Sequence, residues 1–432
     1  VAVRAFTQVG PGPLGEAKSA KTSESEPTKG PNIGTITPTA TSLQVNWNKL
    51  NSNETNGNIT KYEVFYKEGS EVSNMSTKKT VNGSNILMTD LTGLKPATKY
   101  TVAVRAFTQV GPGPLGEAKS AKTSESEPTK GPNIGTITPT ATSLQVNWNK
   151  LNSNETNGNI TKYEVFYKEG SEVSNMSTKK TVNGSNILMT DLTGLKPATK
   201  YTVAVRAFTQ VGPGPLGEAK SANTSESAPA KGATVSNVLP VSSTVLKVSW
   251  TELQNGTNGD ITKYRVCYEA DQNSSLDQCH NGTEVLGAEN TTVNLTGLNE
   301  ATLYYIAVKA GTSAGLGPIG NIVNNRTLED KPSKGPNVAS LTPQNSTSIS
   351  VVWKELSLDD ANGVITEYRV CYMLGKSSTS ELCKTNVSAN QNLNVTLSAL
   401  EKYKSYVIAV RASTVIGFGP PGETMTATTD QD

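Results

Sequence analysis

Histidine occurs once among the 432 residues and cysteine four times. A single imidazole cannot build a histidine-based metal centre. Aromatic residues make up 6% of the chain and charged residues 18%, the latter below the roughly 25% of an average soluble domain. Lys and Arg together number 39 against 37 Asp and Glu. So even a balance argues against nucleic-acid binding through a basic surface, which needs clustered cations to neutralise phosphates. No run approaches 18 consecutive apolar residues, so no membrane-spanning helix is expected. No stretch has a convincing amphipathic helical period either. A leader sequence is missing: the chain opens with VAVRAFTQVG, which reads as the interior of a strand. It is therefore read as a segment of a longer protein whose export signal and anchor lie outside it.

What the chain does have is a repeat. Residues 1–101 recur unchanged as 102–202, and the identity runs on to Ala222 before Lys122 is replaced by Asn223. Two looser copies follow. Tryptophan marks each unit, at Trp47, Trp148, Trp250 and Trp353, spaced 101, 102 and 103 residues apart. Solenoid and propeller units run to about 20–50 residues; a period twice that is the size of a domain with its own core. Complete units are expected at 31–125, 132–226, 233–327 and 335–429, with 1–24 the tail of an earlier unit. The stretches TSESEPTKGP (123–132), TSESAPAKGA (224–233) and RTLEDKPSKGP (326–336) read as short linkers of limited freedom.

Within a unit the apolar period is 2, the signature of half-buried strands. Leu43, Val45 and Trp47 alternate with Gln44 and Asn46; Tyr62, Val64 and Tyr66 with Glu63, Phe65 and Lys67; Tyr100, Val102, Val104 and Ala106 with Thr101, Ala103 and Arg105. Asn56-Gly57, Asn82-Gly83 and the Gly/Pro run at 111–116 supply the turns. About seven short strands in about 100 residues predict an all-β two-sheet sandwich, repeated in tandem.

Each unit resembles a fibronectin type III domain, an immunoglobulin-like β-sandwich. The resemblance rests on features in fixed order: the tryptophan at the end of the second strand, and NGxIxxYxVxY leading into the third (Asn56–Tyr66, Asn258–Tyr268, Asn362–Tyr372). A tyrosine corner follows at LKPATKY (94–100 and 195–201), LNEATLY (298–304) and LEKYKSY (400–406), and a last hairpin reads GPGPLG, GLGPIG or GFGPPG. The resemblance implies that Tyr100, Tyr201, Tyr304 and Tyr406 bond back to upstream backbone. Leu50, Leu151, Leu253 and Leu356 stand where the family often has proline nearby, and the third and fourth units lack the corner proline; these departures bear on loop shape.

Formal catalytic motifs have blander readings. Gly111, Gly113 and Gly116 fit GxGxxG, but a dinucleotide site needs a helix to follow, and here prolines and another strand do. GTSAG at 311–315 fits a nucleophile elbow, which needs a strand-to-helix turn and a later histidine; His280 precedes Ser313. LDDANG (358–363) lacks the spaced oxygen ligands of a calcium loop. There is no Arg-Gly-Asp tripeptide. No catalytic, cofactor-binding or metal site is expected. Phe65 and Phe107 point outward near opposite ends of neighbouring strands.

Eighteen Asn-x-Ser/Thr sequons occur, and such sites mark exposed loops of secreted chains. The glycosylation candidates are Asn53, Asn74, Asn82, Asn154, Asn175, Asn183, Asn273, Asn281, Asn345 and Asn386. The cysteines fall at matching places in the last two units, each pair 12 apart, and predict two local disulfides, Cys267–Cys279 and Cys371–Cys383. Cys267 and Cys371 replace outward residues on the third strand, so the bridges are expected to face away from the core. These features predict a non-catalytic, extracellular, disulfide-bonded glycoprotein segment of an adhesion or receptor protein. It serves as spacer and contact surface for an extracellular or cell-surface protein. No nucleic acid, small-molecule substrate or cofactor is expected, and the membrane anchor is expected outside this segment. The resemblance also allows a receptor tyrosine phosphatase or kinase whose catalytic domain lies elsewhere.

Overall fold

The computed structural model describes every residue except 72–73, 173, 271–274, 376–381, 390–391 and 432. The chain falls into two compact units, Val1–Leu195 with Thr199–Thr224, and Lys196–Ala198 with Ser225–Asp432. Each contains two β-sandwiches.

In the first unit a hairpin of β1 (Arg4–Thr7) and β2 (Gly10–Leu14) precedes the first sandwich. One sheet of that sandwich has β3 (Ile33–Pro38), β4 (Ser42–Trp47) and β7 (Met88–Thr92) in the order β3-β4-β7. The other has β5 (Lys61–Glu68), β6 (Thr77–Asn82), β8 (Lys99–Phe107) and β10 (Lys119–Lys122) in the order β10-β8-β5-β6, with β9 (Pro112–Leu115) also on β8. All pairings are antiparallel. The second sandwich repeats this arrangement from Ile134–Pro139 to Lys220–Asn223. The second unit has two more sandwiches of the same sheet orders, from Thr234–Ser242 to Val323–Arg326 and from Val338–Asn345 to Met425–Thr428.

The alternation read from the sequence becomes the core. Leu43, Val45, Tyr62, Val64, Val102, Val104 and Ala106 are fully buried between the sheets. Removing each such side chain from water contributes about 1.5–3 kcal/mol for the larger ones. Trp47 packs on Tyr62 with ring centroids 5.2 Å apart, and the same pair recurs at 5.3 Å in the second and third sandwiches and 5.4 Å in the fourth. The corner tyrosines close a loop: the hydroxyls of Tyr100, Tyr304 and Tyr406 accept the backbone N–H groups of Lys95, Asn299 and Glu401 at 3.0, 2.9 and 2.8 Å.

Two features depart from the sequence expectation. A single helical turn, α1 (Ser52–Thr55), follows the second strand, and Ser153–Thr156 and Leu358–Ala361 repeat it. It is too short to show a period, but its start is written in the sequence. Asn51 precedes Glu54, whose carboxylate accepts the Asn51 backbone N–H at 3.1 Å, as in a capping box. Asn56 ends the turn in the left-handed region at φ 48°.

The stretches read as linkers are also bonded to the sandwich that follows. Ser25 N–H donates to Asn56 O and Thr28 N–H to Glu54 O, both at 2.9 Å, and Ser126 and Thr129 do the same to Asn157 and Glu155. Thr108 Oγ donates to Ser25 O at 3.0 Å. Lys29 pairs with Glu54 at 2.8 Å and Lys130 with Glu155 at 2.7 Å. A Cβ added to Gly30 would collide with the backbone of Leu115 and Gly116, and one added to Gly116 would collide with Pro31 O. That backbone-to-backbone approach, which only glycine permits, is the role of the last glycine in GxGxxG.

Candidate functional site

With no catalytic constellation expected, the surfaces that could carry function are the outer sheet faces, the disulfide-bridged patches and the sequons.

The outer face of β6-β5-β8-β10 holds a charge-and-ring stack. In strand register Lys61 lies opposite Phe107, Glu63 opposite Arg105, and Phe65 opposite Lys78. Lys61 Nζ sits 4.3 Å from the Phe107 ring centroid; Arg105 and Lys78 sit 5.3 and 5.8 Å from that of Phe65. Each such contact contributes about 0.5–1 kcal/mol at an exposed site. Glu63, placed by alternation on the wet face, is only 4% exposed. Lys78 and Lys61 cover it at 2.9 and 3.4 Å. Burial pushes the Glu63 carboxyl up, but the hydrogen bonds and charges of Lys78 and Lys61 outweigh it and hold the group below the usual carboxylate range. The second sandwich has the same stack with Lys162, Glu164, Phe166, Lys179, Arg206 and Phe208.

In the third and fourth sandwiches the corresponding face carries disulfides instead. Cys267 is bonded to Cys279 and Cys371 to Cys383, with Cα atoms 5.0 and 4.0 Å apart. Both half-bridges on the third strand lie on the face away from the main core, yet they are buried, Cys267 at 0% and Cys371 at 1% exposure. In the third sandwich Cys267 and Cys279 form a second, small apolar cluster with Leu276, against which Tyr305 and Ile319 pack. The short helix Leu276–Gln278 lays Leu276 over the sheet, and Cys279 ends it at φ 52°. In the fourth, Cys383 lies on strand Leu382–Ser388 directly opposite Cys371, and is exposed.

Among the sequons, Asn53, Asn74, Asn82, Asn154, Asn175, Asn183, Asn281, Asn345 and Asn386 are all exposed. Asn53 and Asn154 are on the one-turn helices, Asn82 and Asn183 end strands, and Asn74 and Asn175 sit in turns at φ 59° and 58°. The amide oxygen of Asn345 accepts from Thr347 N and Oγ and from Ser348 Oγ, and that of Asn386 from Arg369 Nε. In both, the carboxamide nitrogen, which a glycan would occupy, is on the other side of the amide. Asn273 lies outside the described residues.

The motif-bearing residues sit in structural roles. Ser313 Oγ donates to Glu226 Oε2 in the turn of a hairpin. His280 is exposed and bonds Gln278 at 2.7 Å. Ser357 caps the helical turn, its Oγ accepting the Asp360 backbone N–H at 3.2 Å, and the Asp360 carboxylate pairs with Lys334 at 3.0 Å. Among the described residues no group of three or more His, Cys, Asp or Glu could hold a metal ion, and no helix is long and apolar enough to cross a membrane.

Comparison with known proteins follows the same division into repeats. The family model described as "Fibronectin type III domain" matches residues 25–122, 126–222, 228–326 and 330–428. Receptor-type tyrosine-protein phosphatase F of Bos taurus is 30% identical over 99% of this chain and 22% of its own length. Tyrosine-protein phosphatase Lar of Drosophila melanogaster is 30% identical over 96% of this chain and 20% of its own. Cell adhesion molecule DSCAML1 of Homo sapiens is 27% identical over 93% and 19%. The chain thus spans about a fifth of the length of these relatives.

Proposed function

The chain belongs to the fibronectin type III family, and on that premise we propose that it is a non-catalytic extracellular segment of a cell-adhesion or receptor protein, acting as spacer and contact surface. The observation that carries this reading is the match of nearly the whole chain to both receptor phosphatases and an adhesion molecule. The four matched repeats account for residues 25–428 with short gaps, so no phosphatase domain lies within the chain. Two disulfides and nine exposed candidate sequons support an oxidising, glycosylating route. The partner is an extracellular or cell-surface protein.

The test is expression in a eukaryotic secretory host followed by glycosidase digestion. Secreted material should collapse toward the polypeptide mass of 45.6 kDa. Secretion without any mass shift would remove the extracellular reading. A second reading, the ectodomain of a receptor tyrosine phosphatase, is favoured by the phosphatase relatives at 30% identity. Transcript sequence downstream of the Asp432 codon decides it, by encoding or failing to encode a membrane span and a phosphatase domain.

A further inference from the structure

The first compact unit has a cleft at the joint between its two sandwiches. Glu68, Lys95, Lys99 and Lys122 line it from the first sandwich and Asn154 and Asn157 from the second, and its volume is about 720 Å³. The chain crosses beside it with little backbone freedom. Ser124 N–H donates to Thr39 O and Ser124 O accepts the Ala97 N–H, both at 2.9 Å, which ties residue 124 to the first sandwich. Ser126 is tied to the second through Asn157, so the pivot is centred on Glu125. Domains joined in this way swing relative to one another unless something packs between them. The wall of the cleft mixes ammonium groups, carboxamides and a carboxylate, with Lys95 paired to Glu68 at 2.8 Å. A free anion would meet Glu68, a free cation would meet three lysines, and an apolar molecule would find too little apolar wall. Hydroxyl groups, which both donate and accept, suit every one of these partners.

We propose that an N-linked glycan on Asn154 lies in this cleft and clasps the joint. Asn154 stands at the rim on the one-turn helix Ser153–Thr156, exposed, in the sequon Asn154-Glu155-Thr156. Its carboxamide has no hydrogen-bond partner among the described residues, so the nitrogen that carries the sugar is free. The cleft is open, and contacts between hydroxyls and exposed lysines are individually weak. A covalently attached sugar is held there at an effective concentration of about millimolar, so weak contacts suffice. The second compact unit supplies the contrast. The joint between its sandwiches has a cleft of about 740 Å³ in the same place, but there the helical turn is Leu358–Ala361 and Asp359 takes the position of Asn154. Leu358 and Val364 on that rim are 90% and 69% exposed. One joint is thus equipped for a sugar and the other is not. The proposal rests on the glycosylated, extracellular reading above and adds what one glycan does.

The test uses the full chain from a eukaryotic secretory host, spin-labelled through Thr92→Cys and Thr193→Cys. These are exposed positions on equivalent strands of the two sandwiches, and the four native cysteines are already bonded. Glycopeptide mapping should find Asn154 occupied, and the distribution of label-to-label distances should be narrow. Asn154→Gln and Thr156→Ala each remove the sequon, the second leaving Asn154 in place. Both should widen the distribution by about twofold as the ordinary freedom of linked domains returns, and glycosidase digestion of the labelled chain should widen it equally. Asn175→Gln removes a sequon beyond the far end of strand Lys162–Glu169 and should leave the width unchanged. Asn154 bare while other sequons carry glycan would overturn the clasp and leave the extracellular reading standing; a chain bare at every sequon would overturn both. An occupied Asn154 whose loss or digestion leaves the width unchanged, or equal widening in Asn175→Gln, would also overturn the clasp.

Discussion

Glu125 Oε1 accepts the backbone N–H of Asn159 at 3.1 Å, across 34 residues of sequence. Glu24 does the same to Asn58 at 3.1 Å and Glu226 to Asp260 at 2.9 Å. Glu125 and Glu226 lie in stretches whose composition reads as a tether, and Glu24 in residues read as the tail of an earlier unit, yet each is fastened to the loop after the second strand of the sandwich that follows. The bond is charge-assisted, so it is stronger than a neutral one.

This predicts that the leading segment is a stabilising part of its domain. A fragment spanning 125–226 should be more stable than one spanning 132–226 by about 2–4 kcal/mol, from several hydrogen bonds at about 1 kcal/mol each. Denaturant unfolding of the two fragments measures it; equal midpoints would show the segment to be a tether after all.

The two disulfides should differ in weight. Each closes a loop between residues 12 apart, which stabilises by roughly 2–3 kcal/mol through the unfolded chain. Cys267–Cys279 also anchors the cluster with Leu276 and Tyr305, whereas Cys383 is exposed. Replacing Cys267 and Cys279 by serine should therefore lower stability more than replacing Cys371 and Cys383. Thermal melts of fragments 225–328 and 329–431 would report the ranking.

Acid should loosen the first two sandwiches through Glu63 and Glu164. Their carboxyls titrate below the usual range in the folded state, so the stability they contribute is complete above the ordinary unfolded value of about 4.3 and is lost as pH falls through the lower folded value. In Glu63→Gln that part of the acid dependence should vanish from fragment 24–122, with a cost of about 1–2 kcal/mol at neutral pH from the weakened lysine bonds. Stability measured between pH 2 and pH 7 checks both, and an unchanged acid slope in the variant would refute the assignment.

Identical sequences also demand identical stabilities. Fragments 24–122 and 125–223 differ only at Lys122 and Asn223, an exposed position in both. They should melt at one temperature, and a joined 24–223 should show a single transition. Well-separated transitions in the joined fragment would reveal that one copy perturbs the other.

The sandwich itself was legible because strand alternation is local: Leu43, Val45 and Trp47 announce their face within five residues, and the corner tyrosines announce their turn. The cysteine pairing was legible because position within a repeat stands in for distance. The one-turn helix at Ser52–Thr55 hid because four residues carry no period, although Asn51 and Glu54 spelled its cap. Burial of Glu63 was hidden because Lys78 reaches it from another strand, 15 residues away. The fastening of Glu125 was hidden because its partner is 34 residues on; only its recurrence at 24, 125, 226 and 329 could have pointed to it.

The glycine pairs carry a consequence for how such an array can change. Gly30 and Gly116, Gly131 and Gly217, Gly232 and Gly320, and Gly335 and Gly422 each meet backbone to backbone. Neither member can take a side chain while the other strand stays in place, so a first mutation at either site is penalised whatever residue arrives. The loops and outer faces around them differ between copies, carrying disulfides, charge-and-ring stacks or sequons. A duplicated copy drifting toward a new partner is thus steered to alter its surface and held from altering the seam where its leading segment meets its last hairpin.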